Sequence, residues 1–299
     1  MEDINALTTE QRNPNTTNLD TFSSLDIARA MNNEDKHAVE AVEQVLPQVA
    51  RAIDWAHDAL VAGGRIIYIG AGTSGRLGVL DAVECPPTFG VDYNTVIGII
   101  AGGEGAFVRA AEGIEDKREA AVDDLVSHHL TSNDIVIGIA ASGRTPYVIS
   151  ALTYARSVGC KTVAISCNAH TEVSACADLA IEAVTGPEVL SGSTRLKAGT
   201  AQKLILNMIS TGAMTRFGKV YKNLMVDVRQ NNHKLQIRAI NIVREACDCT
   251  QHEAENALAD AHGEVKTAIC MLLLGCDATR ANEALAASCG HVRAACNMA

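Results

Sequence analysis

Ala38, Val39, Val42, Leu46, Val49, Ile53 and Ala56 recur at steps of three and four residues. That is the period of a helix with one apolar face, and it predicts a helix over 34–62, ended by Gly63 and Gly64. Beyond Gly64 the rhythm shortens. RIIYIG (65–70), NTVIGIIAG (94–102), NDIVIGIAA (133–141), KTVAISC (161–167) and DLAIEAV (178–184) are short runs rich in Ile and Val. Helix-like segments lie between them, at 74–84, 104–128, 145–158 and 170–177. Strands apolar on both faces that alternate with helices predict an α/β fold with a five-stranded parallel, doubly wound sheet. A long helix is predicted over 197–217, and NLMVDV (223–228) reads as a further short strand or a turn. From 233 the pattern is helical, with segments at 236–247, 251–262, 264–274 and 278–288. Three parts are expected: an N-terminal arm and helix (1–54), a sheet domain (55–232) and a small all-helical domain (233–299). Residues 1–24 are polar and rich in Asn and Thr, which predicts a loose arm.

Charge narrows the partners. The net charge is −10 and no run of Lys or Arg is visible, so neither nucleic acid nor an anionic membrane surface is an expected partner. No apolar run reaches the ~18–20 residues of a membrane span. Ten cysteines sit mostly inside apolar segments, where they read as small buried hydrophobes. The polar start of the sequence carries no apolar signal core, so a reducing cytoplasm is the expected setting. Cys247 and Cys249 have no second close Cys/His pair at zinc-site spacing, and no metal is expected.

In a doubly wound sheet ligands bind beyond the carboxyl ends of the strands, near a switch in strand order. The residues following the strands therefore carry the chemistry. After the first strand comes Gly70-Ala71-Gly72-Thr73-Ser74-Gly75-Arg76, and after the third Ala141-Ser142-Gly143-Arg144-Thr145-Pro146. Backbone N–H groups at a helix start, flanked by hydroxyls, form an anion cradle, and glycine lets the backbone approach closely. Ser and Thr are also ordinary helix caps, so either loop alone is equivocal. The first spells G-x-G-x-x-G, the dinucleotide fingerprint. That reading needs an acidic residue ending the second strand, where Gly102 and Gly103 stand instead. Two hydroxyl-rich loops suit a compact phosphate better. A third stretch places Ser191, Ser193 and Thr194 ahead of a helix carrying Arg195 and Lys197. It reads either as a cap with surface cations or as a contact for sugar hydroxyls and phosphate.

The strings GRIIYIGAGTSGRLGVLDAVECPPTFG, IAGGEGAFVRAAEGIED, GIAASGRTPYV, GSTRLKAGTAQK and NLMVDV resemble the N-acetylmuramic acid 6-phosphate etherase family, built on a sugar isomerase (SIS) domain. The resemblance spans about 25–275, with Ile114 a small departure where Ala is usual. It implies a cytoplasmic lyase of cell-wall sugar recycling that removes D-lactate from N-acetylmuramic acid 6-phosphate, with no cofactor. It implies that the 55–232 part is the phosphosugar-binding domain, that the 233–299 helices resemble a ubiquitin-associated bundle, and that the protein is a homodimer with sites near the subunit junction. Carried over by the resemblance, Glu84 is the catalytic acid and Glu115 the second catalytic carboxylate. Ser74, Ser142 and Thr145 hold the phosphate. Gly72, Thr73, Gly143, Arg144, Ser191, Ser193 and Lys197 complete the substrate-binding set. A phosphosugar-sensing regulatory protein and an aldose–ketose isomerase are the alternatives, since both use the same domain.

An ether is a poor leaving group, so elimination is the easier route: a base removes the hydrogen beside the aldehyde and an acid protonates the departing oxygen. Two carboxyls in different protonation states suffice. Glu84 follows Asp81 by three residues, and a like charge with partial burial is expected to raise its pKa. Pro86 and Pro87 are expected to stiffen the chain after it. Glu115, beside Glu112, Asp116, Lys117, Arg118 and Glu119, reads by itself as a solvated charged helix face. Arg76, Arg144, Arg195 and Lys197 are candidate partners for the lactyl carboxylate.

Overall fold

The computed structural model of the chain describes residues 7–109, 113–228 and 233–297. Glu112, the first six residues of the expected arm and the last four of the expected sheet domain lie outside them. The described chain forms two compact units. One comprises the residues up to Val83 with Asn94–Ser210; the other comprises Glu84–Tyr93 with the chain from Thr211 on.

The first unit opens with short 3-10 turns at Thr8–Glu10, Pro14–Thr16 and Leu19–Thr21. Helices α1 (Ser24–Glu43) and α2 (Leu46–Val61) follow, then β1 (Ile66–Gly70), α3 (Gly72–Phe89), β2 (Val96–Ile100), α4 (Glu104–Val108) and α5 (Arg118–Ser127). The sheet continues through β3 (Ile135–Ile139), α6 (Pro146–Val158), β4 (Lys161–Ser166), α7 (Glu172–Cys176) and β5 (Leu179–Glu182), and α8 (Lys197–Arg216) leaves it. The five strands are parallel, in the order β2-β1-β3-β4-β5. Every residue of β1 and β3 is buried, which is why those stretches read as unbroken apolar runs. Gly98 of β2 lets α3 settle on the sheet, since a Cβ there would lie 2.4 Å from the Val79 Cα. The face under α5 and α6 is packed with Ile67, Ile69, Leu125, Val136, Val148 and Leu152.

The second unit holds the two-stranded antiparallel hairpin of β6 (Val220–Tyr221) and β7 (Leu224–Met225). Helices α9 (His233–Cys247), α10 (Gln251–Asp260), α11 (Val265–Leu274), α12 (Ala278–Ala287) and α13 (Val292–Asn297) complete it. Its own core gathers Val243, Leu258, Ile269, Leu285 and Val292. Thr250 caps α10 with a full capping box to Glu253. Among the described residues no helix is long and apolar enough to cross a membrane.

Four local expectations are corrected. The helix over 34–62 is two helices, α1 beginning earlier at Ser24. They are separated ahead of Pro47, which occupies the first turn of α2, where a missing N–H costs nothing. The helix over 104–128 is α4 and α5, with Glu115 in the turn between them. The helix ending at Glu84 runs on through Pro86 and Pro87 to Phe89. Finally, the described part of the arm is docked rather than loose. Thr9, Asn13 and Thr16 are buried. Asn13 Nδ2 donates to the Pro187 carbonyl at 3.2 Å and Thr16 Oγ1 to the Val189 carbonyl at 2.8 Å. The arm is polar because it satisfies the backbone of the sheet's loops, which composition does not distinguish from solvation.

Candidate functional site

The strand order reverses between β1 and β3, the switch point at which such sheets bind ligands. These two strands pair directly, with Gly70 opposite Ile139, so the two hydroxyl-rich loops leave the sheet side by side. A Cβ on Gly70 would come within 3.0 Å of the Ile139 carbonyl oxygen and 2.9 Å of the Gly75 nitrogen.

Each loop has its own supports. In the first, Gly72 is exposed, Thr73 half-buried and Ser74 buried. Ser74 Oγ donates to Gln202 Oε1 on α8 at 3.0 Å. In the second, Ser142 Oγ accepts from the Arg144 N–H at 3.3 Å. Gly143 turns the chain with φ +75°, and a Cβ there would lie 2.3 Å from the Thr171 side chain. Its carbonyl accepts from Val173 N at 3.0 Å. Asn168, buried after β4, donates to the carbonyls of Ala141 and Ser142 at 3.2 and 3.4 Å. The arm holds Asn168 in turn, with Thr8 Oγ1 donating to its Oδ1 at 2.8 Å and its Nδ2 donating to Thr9 Oγ1 at 3.0 Å. Thr145 precedes α6 without a side-chain cap bond, and Pro146 opens the helix.

Glu115 is brought to the second loop by its backbone. Its carbonyl accepts from Tyr147 N at 3.0 Å, while Ile114 packs on the apolar core and the Glu115 side chain stays exposed. The Tyr147 hydroxyl donates to Asp124, and burial together with that carboxylate pushes its pKa up.

The carboxyls of α3 divide differently from expectation. Asp81 is the buried one. Burial pushes its pKa up, against hydrogen bonds from Asn207 (2.6 Å), Ser210 (3.1 Å) and Tyr68. Glu84 is exposed, so the partial burial expected to tune it is not found. It stands ten residues after Ser74 in the sequence of α3.

The third stretch is also corrected. Ser191 is exposed and Ser193 half-buried in the turn before α8. Lys197, however, is 1% exposed, and its ammonium meets Glu34 at 2.6 Å, so it is not a surface cation. Glu188 caps α8 by accepting from Lys197 N and Ala198 N at 3.1 and 3.0 Å, and burial pushes its pKa up. The other cations differ in freedom. Arg76 donates to the carbonyls of Phe107 and Ala106 at 2.8 and 2.7 Å, Arg144 lies 3.6 Å from Glu172, and Arg195 is exposed. Gln202, Asn168 and Thr9 are the site-building residues that sequence reasoning missed. Each acts through a partner distant in sequence, and only the place of Gln202 in the GTAQK string was a signal.

Residues 41–156 match the glucokinase regulatory protein N-terminal SIS domain, 117–211 the SIS domain and 222–264 the C-terminal lid domain of glucokinase regulatory protein. The chain is 56% identical over 292 residues to N-acetylmuramic acid 6-phosphate etherase of Enterobacter sp. (strain 638), covering 98% of both chains. It is 56% identical over 293 residues to the protein of that name from Erwinia tasmaniensis, covering 98% of this chain and 96% of the other. Among solved structures, a phosphoheptose isomerase from Neisseria gonorrhoeae superposes with a TM-score of 0.51 at 15% identity, covering 64% of this chain and all of the other. A putative phosphosugar isomerase from Bacteroides fragilis gives 0.51 at 15% identity, covering 69% and 97%. At that identity the two structures speak for the fold alone.

Proposed function

The chain belongs to the N-acetylmuramic acid 6-phosphate etherase family, and from that premise we propose how its residues carry the reaction. The protein is a carbon–oxygen lyase. It cleaves the D-lactyl ether of N-acetylmuramic acid 6-phosphate by elimination and addition of water, giving N-acetylglucosamine 6-phosphate and D-lactate, a step of amino sugar recycling. The observation that carries this reading is the near-full-length identity to the etherases; the paired loops at the β1/β3 switch point supply the place.

The phosphate sits against the start of α3 and the loop before α6. Backbone N–H groups of Gly72 and Thr73 and the hydroxyls of Ser74, Ser142 and Thr145 take its oxygens, with the positive ends of two helices facing it; Gly143 shapes the turn, its own N–H being donated to the Ala140 carbonyl at 3.0 Å. Ser191 and Ser193 are offered to sugar hydroxyls, and Arg144 and Arg195 to the lactyl carboxylate. Lys197 leaves the binding set because Glu34 holds its ammonium. In the open-chain sugar, Glu115 takes the hydrogen from carbon 2. The electron pair forms the carbon 2–carbon 3 double bond and expels the lactyl oxygen from carbon 3, which Glu84 protonates. Water then adds at carbon 3 and a proton returns to carbon 2. Each proton transfer is worth about 10²–10⁴-fold in rate.

The etherase resemblance supports a homodimer with sites near the subunit junction, and on that reading one chain's Glu84 serves the sugar held by a second copy. A cytoplasmic setting follows from the intracellular origin of a phosphosugar. The decisive assay incubates purified protein with N-acetylmuramic acid 6-phosphate and measures D-lactate. Stoichiometric lactate with N-acetylglucosamine 6-phosphate is expected; a ketose phosphate without lactate, or binding without turnover, overturns the assignment.

A further inference from the structure

Ser74 and Gln202 share a hydrogen bond whose direction bears on phosphate binding. Ser74 is 7% exposed and Gln202 1%. A serine hydroxyl carries one hydrogen, and here it is donated to Gln202 Oε1 at 3.0 Å. A hydroxyl committed in that way offers an anion only its lone pairs. On the same carboxamide, Nε2 is buried and has no hydrogen-bond partner among the described residues. An unsatisfied buried N–H₂ is costly, and a side chain serving packing alone would not need it.

We propose that Gln202 is a positioning residue that sets the direction of the Ser74 hydroxyl proton. Turning the carboxamide by 180° exchanges Nε2 for Oε1 without changing its shape or charge. Nε2 then donates to Ser74 Oγ, and the serine hydrogen is released toward the loop of Gly72 and Thr73. In one orientation Gln202 consumes the serine's proton; in the other it supplies a proton and leaves the serine a donor. The two helices are close enough to hold this geometry. A Cβ on Gly199, less than one turn before Gln202, would lie 3.6 Å from Thr73 Cγ2 and 3.8 Å from Leu77 Cδ1. Phosphate thereby selects the donating orientation, in which Nε2 gains Ser74 as its partner and Oε1 takes the place that Nε2 left. The inference rests on the assignment of Ser74 to phosphate.

The test uses the full-length enzyme, with inorganic phosphate as competitive inhibitor beside substrate kinetics. Gln202→Met removes the group that orients the Ser74 hydroxyl and is expected to raise both the phosphate inhibition constant and KM several-fold, with kcat within about threefold. Adding Ser74→Ala to Gln202→Met is expected to cost little more than either change alone. Gln202→Glu keeps the shape and makes the group an acceptor only when ionised. Its phosphate binding is expected to be weakest at neutral pH and to recover, relative to the unaltered chain, as pH falls and the carboxyl regains a donor. A purely structural role would not produce that pH dependence, and this variant keeps the test open if Gln202→Met does not fold. An unchanged inhibition constant in the Gln202 variants, with a raised one in Ser74→Ala, overturns the proposal and spares the phosphate assignment. An unchanged constant in Ser74→Ala overturns the assignment itself.

Discussion

The Tyr147 N–H donates to the Glu115 carbonyl at 3.0 Å, and this bond joins the Glu115 turn to the start of α6. The first N–H groups of any helix lack intrahelical partners, so the turn satisfies one of them and is registered against Thr145 in return. Because the anchor is backbone, the side chain can be changed without releasing it. Glu115→Ala is expected to lower lactate release about 10²–10⁴-fold while leaving phosphosugar binding and thermal stability near those of the unaltered protein. Calorimetric titration and a lactate assay separate the two. Retained turnover removes Glu115 from the mechanism.

The proposal that each site draws Glu115 from one chain and Glu84 from the other makes a prediction about mixtures. Glu84→Ala and Glu115→Ala proteins are each expected to lose turnover when assayed alone. If each site takes Glu115 from one chain and Glu84 from the other, a mixed dimer has one site with both acids and one with neither. Random exchange of equal amounts is then expected to restore about a quarter of full activity, since half the dimers are mixed and one site in two is intact. No recovery in a mixture shown to have exchanged subunits places both acids in one chain.

Gly143 is required twice over. Its φ of +75° disfavours any side chain, and a Cβ would lie 2.3 Å from Thr171. Gly143→Ala is expected to destabilise the fold by about 2–4 kcal/mol and to raise KM, because the loop moves to clear Thr171. Urea unfolding and kinetics check both, and a neutral result for KM separates this loop from the substrate.

Asn168 tests whether the docked arm matters to the site. Asn168→Ala removes its bonds to Thr8, Thr9, Ala141 and Ser142. A loss of about 1–3 kcal/mol in stability is expected, with a several-fold rise in KM as the Ser142 carbonyl loses its donor. Unchanged KM confines the arm to stability.

The sheet was legible because β1 and β3 are buried on both faces, and that demand writes itself as Ile and Val. The loops were legible as strand-to-helix turns because Gly, Ser and Thr gather there, but the same residues serve as ordinary helix caps, so composition alone does not give their use. The orientation of Glu84 was not, since one carboxylate on a helix reads the same facing water or a partner. Asp81, three residues earlier, carries the burial expected of Glu84, and its partners Asn207 and Ser210 lie more than 120 residues away. The arm failed for a related reason: Thr and Asn that bond distant carbonyls have the composition of a solvated tail. Helix α3 outlasts two prolines that local rules read as a stop, because packing overrides propensity where neighbouring contacts hold the helix.

Lys197 and Glu34 give the pH prediction. The pair is buried, with 2.6 Å between ammonium and carboxylate. Burial pushes the Glu34 pKa up, but hydrogen bonds from Asn15, Lys197 and Asn13 and the Lys197 charge outweigh it, and the value ends below the ordinary one of 4.5. A carboxyl with a lowered folded pKa stabilises the fold above its unfolded pKa and loses that contribution as pH falls through the lowered value. Lys197→Met removes the ammonium, so the ionised Glu34 is left buried without its counter-charge, and protonation now relieves the fold. The variant is expected to be about 3–5 kcal/mol less stable at pH 7, with a deficit that shrinks as pH falls below the ordinary carboxylate value. Urea unfolding of both proteins at neutral and acid pH measures it. A deficit that is constant with pH means that the loss comes from packing of the lysine stem and not from the ion pair.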